Sequence, residues 1–412
     1  MEIRPILSAL LRNKTAPLLV AIQVAISLAI LANALFIVTL RIEAAERPSG
    51  IADEANIAHF YVRPIEKLSH NEILARQQRE LATLAALPGV VSAAWVSQMP
   101  MSRSGSSSSV RSSLSQTQPT ADPATYFGHP GLVQTLGLKL VEGRDFNNDD
   151  VVEKDPEVDS WNAKFPKGVI ITQALARLLF PDAANYAGKT FYFGMGVGNE
   201  VRVIGVVERL QTPQAQSSAA GEYSVILPWR TSMPYSRYVV RTAPGERDRV
   251  AAAAEEALRK SSTIPMNISA RTTEQDRINR YRNEKALAWM LISVSGLLLL
   301  VTVSGIVGMT TLRVAQRRKQ IGVRRALGAR WRDIVRYFIT ENLLITTSGI
   351  AAGLLLAVAL NQLLIRQLEL SKLPAGYLVA GAVALWLLGI ASVYGPAARA
   401  ARISPAIATR TA

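Results

Sequence analysis

Four stretches of this sequence, 16–40, 287–312, 338–365 and 376–394, stay apolar throughout, with no Lys or Arg before their edges. A helix needs about 20 such residues to cross ~30 Å of hydrocarbon, whereas buried helices of soluble proteins use runs of about 10–14. The sequence therefore predicts an α-helical membrane protein with four transmembrane helices, one ahead of a long segment, 41–283, and three behind it. The first run follows Arg4, Arg12 and Lys14 as a signal peptide would. It exceeds the roughly 7–15 residues of a signal core, so it reads as an uncleaved anchor. Ahead of it, Ile3, Ile6, Leu7, Leu10 and Leu11 fall at helical spacing. Residues 1–15 are accordingly expected to form an amphipathic helix on the cytoplasmic leaflet.

Charge supplies the orientation. A net charge of +15 first points to nucleic acid or an anionic surface. Its distribution says otherwise, because 41–283 holds 28 basic and 26 acidic residues. Residues 1–15, 313–337 and the tail after Tyr394 hold fifteen basic residues against only Glu2 and Asp333. Basic residues beside apolar runs mark cytoplasmic segments, so nucleic-acid binding is set aside. The expected layout is a bacterial inner-membrane protein with both termini inside. It reads as TM1 at 16–40, a periplasmic domain at 41–283, and a stalk with TM2 at 284–312. A cytoplasmic coupling helix follows at 313–337, then TM3 at 338–365, a short periplasmic loop at 366–375, TM4 at 376–395 and a cytoplasmic tail at 396–412.

Inside 41–283 the pattern is strand (58–62), helix (69–87) and strand (90–96). Ser69 and Glu72 stand at capping-box spacing, and Pro88-Gly89 ends the helix. A similar set returns as strands 223–227 and 238–241, helix 245–260 and strand 266–270. Two β-α-β-like halves predict an α+β extracytoplasmic domain: a ferredoxin-like split subdomain with a β-rich insertion at about 100–220. The insertion is expected to open with a solvated Ser-rich loop, 102–120, and to carry an acidic loop, 147–159. Residues 272–283 read as a helical stalk.

Motifs for chemistry are sparse. There is no cysteine, which excludes disulfides and thiolate metal sites. His59, His70 and His129 are scattered and read as surface or loop residues. Gly188-Lys189-Thr190 matches the end of a phosphate-binding loop, but Ala183 stands where that loop needs glycine. The tripeptide therefore reads as a turn, and the chain as a non-enzyme without a cofactor of its own, any ATP being bound by a partner. Within the apolar runs polar residues are few, among them Gln23, Asn33, Glu341, Asn361 and Gln362. Glu341, an intramembrane carboxylate, is a candidate by default, and its position beside a basic edge equally fits pairing with Arg. Gly296, Gly305 and Gly308, with Ser293 and Ser304, would let the second span pack closely against a neighbour.

The segment 317–329 reads Arg-Arg-Lys-Gln-Ile-Gly-Val-Arg-Arg-Ala-Leu-Gly-Ala. Val323, Leu327 and Trp331 would form an apolar stripe between basic faces, and Gly328 can break the helix. Such a helix suits either anionic lipid or a partner's groove. This segment, with 135–146 (TLGLKLVEGRDF), 169–181 (VIITQALARLLFP), 188–189, 203–207 (VIGVV), 338–341 and 396–405, resembles the MacB/FtsX-like permease family, the membrane subunits of type VII ABC systems. The resemblance implies a permease driven by a separate dimeric ABC ATPase. Its coupling residues would be Gln320, Ile321, Gly322, Arg324, Arg325, Leu327, Gly328 and Ala329, with Leu327 as anchor and Arg324 and Arg325 as polar rim. It implies export with a periplasmic adaptor and an outer-membrane channel. Lipoprotein extraction and a regulatory role, activating a cell-wall hydrolase or sensing an antimicrobial peptide, are the alternatives. Gln320 and Ile407 stand where the family usually has Glu, so a second, more typical permease is expected as partner, a heterodimer over a homodimer.

Overall fold

A computed structural model describes residues 10, 14–160, 163–194, 198–368 and 372–402. The amphipathic helix expected at 1–15 lies almost wholly outside these residues, as do Ser404, Pro405 and Ile407 of the tail. The chain divides into two compact units: an α/β unit, Glu43–Asn283, and a helical unit drawn from the residues up to Ile42 and from Glu284 onward.

Helix α1 (Thr15–Glu46) opens the described chain. In the α/β unit, β1 (Ile57–Pro64), α2 (His70–Ala85) and β2 (Val90–Trp95) form the first half of a layer. At the start of α2, the Ser69 backbone N–H and hydroxyl both donate to Glu72, at 2.8 and 2.6 Å. The chain then leaves the layer through β3 (Val110–Arg111), β4 (Ala124–Phe127), α3 (Leu132–Leu136), β5 (Leu140–Gly143), β6 (Val152–Lys154) and β7 (Gly168–Thr172). It continues through α4 (Gln173–Leu179), β8 (Thr190–Phe193), β9 (Asn199–Val207), β10 (Ser224–Leu227) and β11 (Trp229–Thr231). It returns as β12 (Ser236–Thr242), α5 (Arg247–Ser261) and β13 (Met266–Thr272).

The layer sheet has the order β13-β1-β12-β2, every neighbour antiparallel. This is the ferredoxin-like arrangement read from the two β-α-β halves. Ala58, Phe60 and Val62 alternate along β1 and share one core with Leu84 of α2 and Val250, Ala254 and Leu258 of α5. Phe60, Trp95 and Tyr238 are buried there, each contributing about 1.5–3 kcal/mol of apolar transfer.

The insertion carries a seven-stranded mixed sheet, ordered β3-β8-β9-β7-β10-β4 with β5 on β9, and a two-stranded ribbon of β6 and β11. Three expectations change here. Residues 223–227, expected in the second half of the layer, form β10 between β7 and β4, so the insertion runs through β11. Its apolar run fits either sheet, and only non-local pairing decides. The Ser-rich stretch contains β3, and its Arg111 is 2% exposed because the side chain donates to the carbonyls of Gly194, Leu114 and Gln116. The acidic loop contains β6, paired with β11 in parallel.

In the helical unit, α6 (Thr273–Gln316), which begins in the α/β unit, is followed by α7 (Arg318–Ala326), α8 (Trp331–Leu368) and α9 (Ala375–Ala401). α1, α6, α8 and α9 are long and apolar enough to cross a membrane. Residues 313–337 are not one helix: α6 ends, α7 occupies nine residues, and Gly328 at φ +94° reverses the chain before α8. Small residues set the packing. A Cβ at Gly349 would stand 2.7 Å from the Ala21 carbonyl, and one at Gly353 3.0 Å from the Ala25 backbone, so α8 and α1 approach closely through these two glycines. Gly305 does the same against Gln23, whereas a Cβ at Gly296 or Gly308 would meet nothing. Ser27 and Thr302 hydroxyls bond at 2.8 Å, and Asn33 donates to the Ala357 carbonyl at 3.1 Å.

Candidate functional site

The segment 320–329, expected to couple to a partner, is anchored on one side and open on the other. Ile321 and Gly322 are buried, and Ile321 joins the cluster of Ile334, Val335 and Phe338 from α8. Below it, Arg313 of α6 donates to Glu341 at 2.7 Å, and Arg317, between α6 and α7, reaches the other carboxylate oxygen at 3.4 Å. Arg317 also donates to the Tyr337 hydroxyl, and the Arg324 guanidinium lies over the Tyr337 ring, 5.2 Å from its centroid. One acidic residue and one aromatic ring of α8 thereby hold α6 and α7 together. Glu341 is 2% exposed, and its two oxygens both have arginine partners.

The open side carries Val323, 51% exposed, and Leu327, 83% exposed. Gln320, Arg324 and Gly328 are exposed around them, and Arg325 and Ala329 are half-buried. The stripe expected to run on to Trp331 stops at Leu327. Gly328 turns the chain, its N–H bonding to Arg325 and that of Ala329 to Arg324, and Trp331 packs against the helical core instead. Arg324, expected on a rim facing a partner, is engaged with Tyr337.

Of the three histidines expected on the surface or in loops, His59 is buried on a strand, His70 heads a helix half-buried, and His129 is half-buried in a loop. His59 on β1 is 4% exposed and bonds Asp276 at 2.8 Å. His70 heads α2 and bonds Ser232 at 2.9 Å. His129 stacks beside Trp95, ring centroids 5.2 Å apart, and burial, aided by the Arg230 charge, lowers its pKa to about 4. Strand periodicity would have flagged His59, which lies in an otherwise apolar run. Gly188-Lys189-Thr190 turns into β8, a strand, where a phosphate loop would open a helix.

Residues 22–258 match the MacB-like periplasmic core domain, and 292–405 match the FtsX-like permease C-terminal family. The chain belongs to the MacB/FtsX-like permease family. Among relatives of this MacB/FtsX-like permease is the pyoverdine export ATP-binding/permease protein PvdT of Pseudomonas syringae pv. tomato, 36% identical over 131 residues, which are 31% of this chain and 19% of the relative. The macrolide export ATP-binding/permease protein MacB of Agrobacterium fabrum is 28% identical over 292 residues, 65% of this chain and 40% of the relative. MacB of Acinetobacter baylyi is 28% identical over 256 residues, 58% and 37% respectively. The MacB/FtsX-like chain thus spans 19% to 40% of the length of these curated relatives.

Two motifs that carried the resemblance meet in the fold. Gly143, in the EGRDF stretch, pairs with Gly205 of VIGVV across β5 and β9. A Cβ at Gly143, at φ +74°, would sit 2.1 Å from the Ile204 carbonyl, and one at Gly205 would sit 2.4 Å from that of Arg144. The two glycines permit each other's backbone approach. Sequence reasoning missed Arg313, Arg317 and Tyr337. The spacing of Tyr337 and Glu341, four residues apart on one helix beside a basic segment, was the available signal.

Proposed function

We propose that this permease is the transmembrane partner of a separate ABC ATPase, transmitting the ATPase's closure to the α/β unit in an export system of the bacterial inner membrane. The observation that carries the reading is the exposure of Leu327 at the end of a short basic helix whose opposite face is buried and clamped. A large apolar side chain held out on a fixed turn is suited to enter a partner's groove, and the clamp of Glu341, Arg313 and Arg317 would pass displacement of α7 to α6 and α8. Gln320 to Ala329 form the docking segment, with Leu327 as anchor. ATP belongs to the partner, and the permease performs no chemistry. The relatives' names support export as the activity. The basic flanks support a cytoplasmic position for α7 and both termini, with the α/β unit in the periplasm. A second permease subunit, a periplasmic adaptor and an outer-membrane channel complete the assembly.

Co-purification of the cognate ATPase at two salt concentrations tests the docking. Losing a buried anchor costs on the order of 2 kcal/mol or more, and rim charges less. Leu327→Asp should release the ATPase or uncouple its hydrolysis while the permease still inserts. Arg324→Ala should give a milder loss that grows with salt. An intact, coupled complex with Leu327→Asp would place the docking site elsewhere.

A further inference from the structure

A hollow of about 640 Å³ lies within the α/β unit, where the end of β1 and the start of α2 meet β4 and the β6–β11 ribbon. That volume falls in the ~300–1,000 Å³ range of sites for small organic molecules. Its wall is apolar over Ile65, Leu68, Ile73, Phe127 and Met233, and it also carries Trp229 and Lys154. The apolar wall is not sealed: Leu68 and Met233 are half-buried, and Ile65 is 67% exposed. Lys154 of β6 is 5% exposed, its ammonium 4.3 Å from the centroid of the Trp229 ring. An ammonium set in an apolar wall loses much of its hydration and gains from each aromatic face it meets. We propose that this hollow binds an uncharged aromatic molecule, whose ring packs on the apolar wall and gives the Lys154 ammonium a second aromatic face.

The charges around the hollow reject an ion. Burial lowers the Lys154 pKa and the Asp159 carboxylate raises it, so the ammonium already has a counter-charge nearby. An anion placed against Lys154 would meet Asp159 as well, and a cation would meet Lys154. Other polar groups of the wall are paired within the protein. Asp159 accepts from Lys164 at 2.9 Å, and Lys67 pairs with Glu157 at 2.9 Å. His70 bonds the Ser232 hydroxyl at 2.9 Å, and the Trp229 N–H donates to the Lys164 carbonyl at 3.2 Å. A ligand of either charge would compete with these pairs, whereas a neutral ring leaves them intact and removes apolar wall from water. The wall draws residues 63–73 from the layer and 154–159 and 229–231 from the insertion. An occupant would therefore hold these two parts of the α/β unit together, as the exposed Lys67–Glu157 pair does.

Equilibrium dialysis of the full chain in detergent micelles against the same micelles tests this, since partition into detergent then cancels. The probes are naphthylmethanol, its saturated analogue decalylmethanol, and the anion naphthoate. Naphthylmethanol should bind saturably with a Kd below ~1 mM, about fivefold tighter than decalylmethanol and about tenfold tighter than naphthoate. Leu68→Asp, on a half-buried loop side chain, should weaken naphthylmethanol binding about tenfold with the thermal unfolding midpoint retained. Lys154→Met should bring the two alcohols to equal affinity. If either variant fails to fold, Met233→Trp, which fills the hollow from a half-buried position, decides by loss of binding. No saturable binding of naphthylmethanol up to ~1 mM, or naphthoate bound as tightly, would overturn the proposal. Decalylmethanol bound as tightly, or affinities unchanged in the variants, would overturn it as well.

Discussion

Arg277 grips both oxygens of Glu54, its Nη2 reaching Oε1 at 2.5 Å and its Nε reaching Oε2 at 3.0 Å. The same guanidinium donates to the carbonyls of Ala45 and Arg47, at 3.1 and 2.9 Å. Beside it, Asp276 accepts from His59 of β1. The first turns of α6 are therefore fastened to the end of α1, to the segment that follows it and to β1, an inner strand of the layer. A planar fork that satisfies one carboxylate and two carbonyls cannot be replaced by an ammonium.

Arg277→Ala should destabilise the α/β unit by about 2 kcal/mol, and Arg277→Lys should restore little of it. Hydrogen exchange at residues 45–54 should rise in both variants. Denaturant unfolding of the Arg277→Ala, Glu54→Gln and double variants should give a coupling energy of about 1 kcal/mol or more. Additive losses would mean that the pair is ornamental to stability.

Glu341 faces two arginines in a buried corner. Removing one partner of such a cluster leaves uncompensated charge, at a cost of about 3–5 kcal/mol. Glu341→Gln should lower the thermal unfolding midpoint of the purified permease strongly, and Arg317→Gln should relieve part of the loss when combined with it. A Glu341→Gln chain as stable as the parent would refute the clamp.

The buried His129 ring makes stability depend on acid. Folded, it titrates near 4, while in the unfolded chain it regains its ordinary value of 6.5. Between those values the unfolded state binds more protons, so stability rises with pH and is lost as pH falls from 6.5 toward 4, by at most about 3 kcal/mol. The urea midpoint should drop between pH 7 and pH 5, and His129→Asn should flatten that drop. An unchanged slope in the variant would assign the acid sensitivity to other groups.

Because the chain has no cysteine, single cysteines report location without background. In intact cells whose outer membrane has been permeabilised, an impermeant maleimide should label Ser113→Cys and spare Ala326→Cys until the inner membrane is opened. The reverse pattern would invert the proposed orientation.

What the sequence discloses here follows how local each signal is. Apolar runs of membrane length, the Ser69–Glu72 cap and the glycine stop at Gly328 are written in neighbouring residues, and all could be read directly. Each membrane-length helix outran its apolar run, since helical hydrogen bonding continues into polar ends. The placement of 223–227 was not legible, because whether that strand joins β7 and β4 or the layer depends on partners 50 and 100 residues away. The same holds for His59, whose burial is made acceptable by Asp276, 217 residues away, and in part for Arg111, which reaches the distant Gly194 carbonyl as well as two nearby ones. In the segment 317–329, residue types pointed to the exposed Leu327 but not to Tyr337, whose contacts arise only when α6, α7 and α8 meet.

The split layer also dictates a timetable for synthesis. Ala58 of β1 pairs with Thr272 of β13, and Tyr238 of β12 pairs with Trp95 of β2, so neither edge of the first half can close on local chain. At about 5–20 residues per second, the ribosome takes on the order of 10–30 s to deliver the missing strands after β2 has emerged. Through that interval two apolar strands stand with bare backbone edges while the insertion between them acquires its own sheet. The nascent chain is therefore most open to mispairing in mid-translation, and a segment that binds extended apolar strands has its greatest opportunity then.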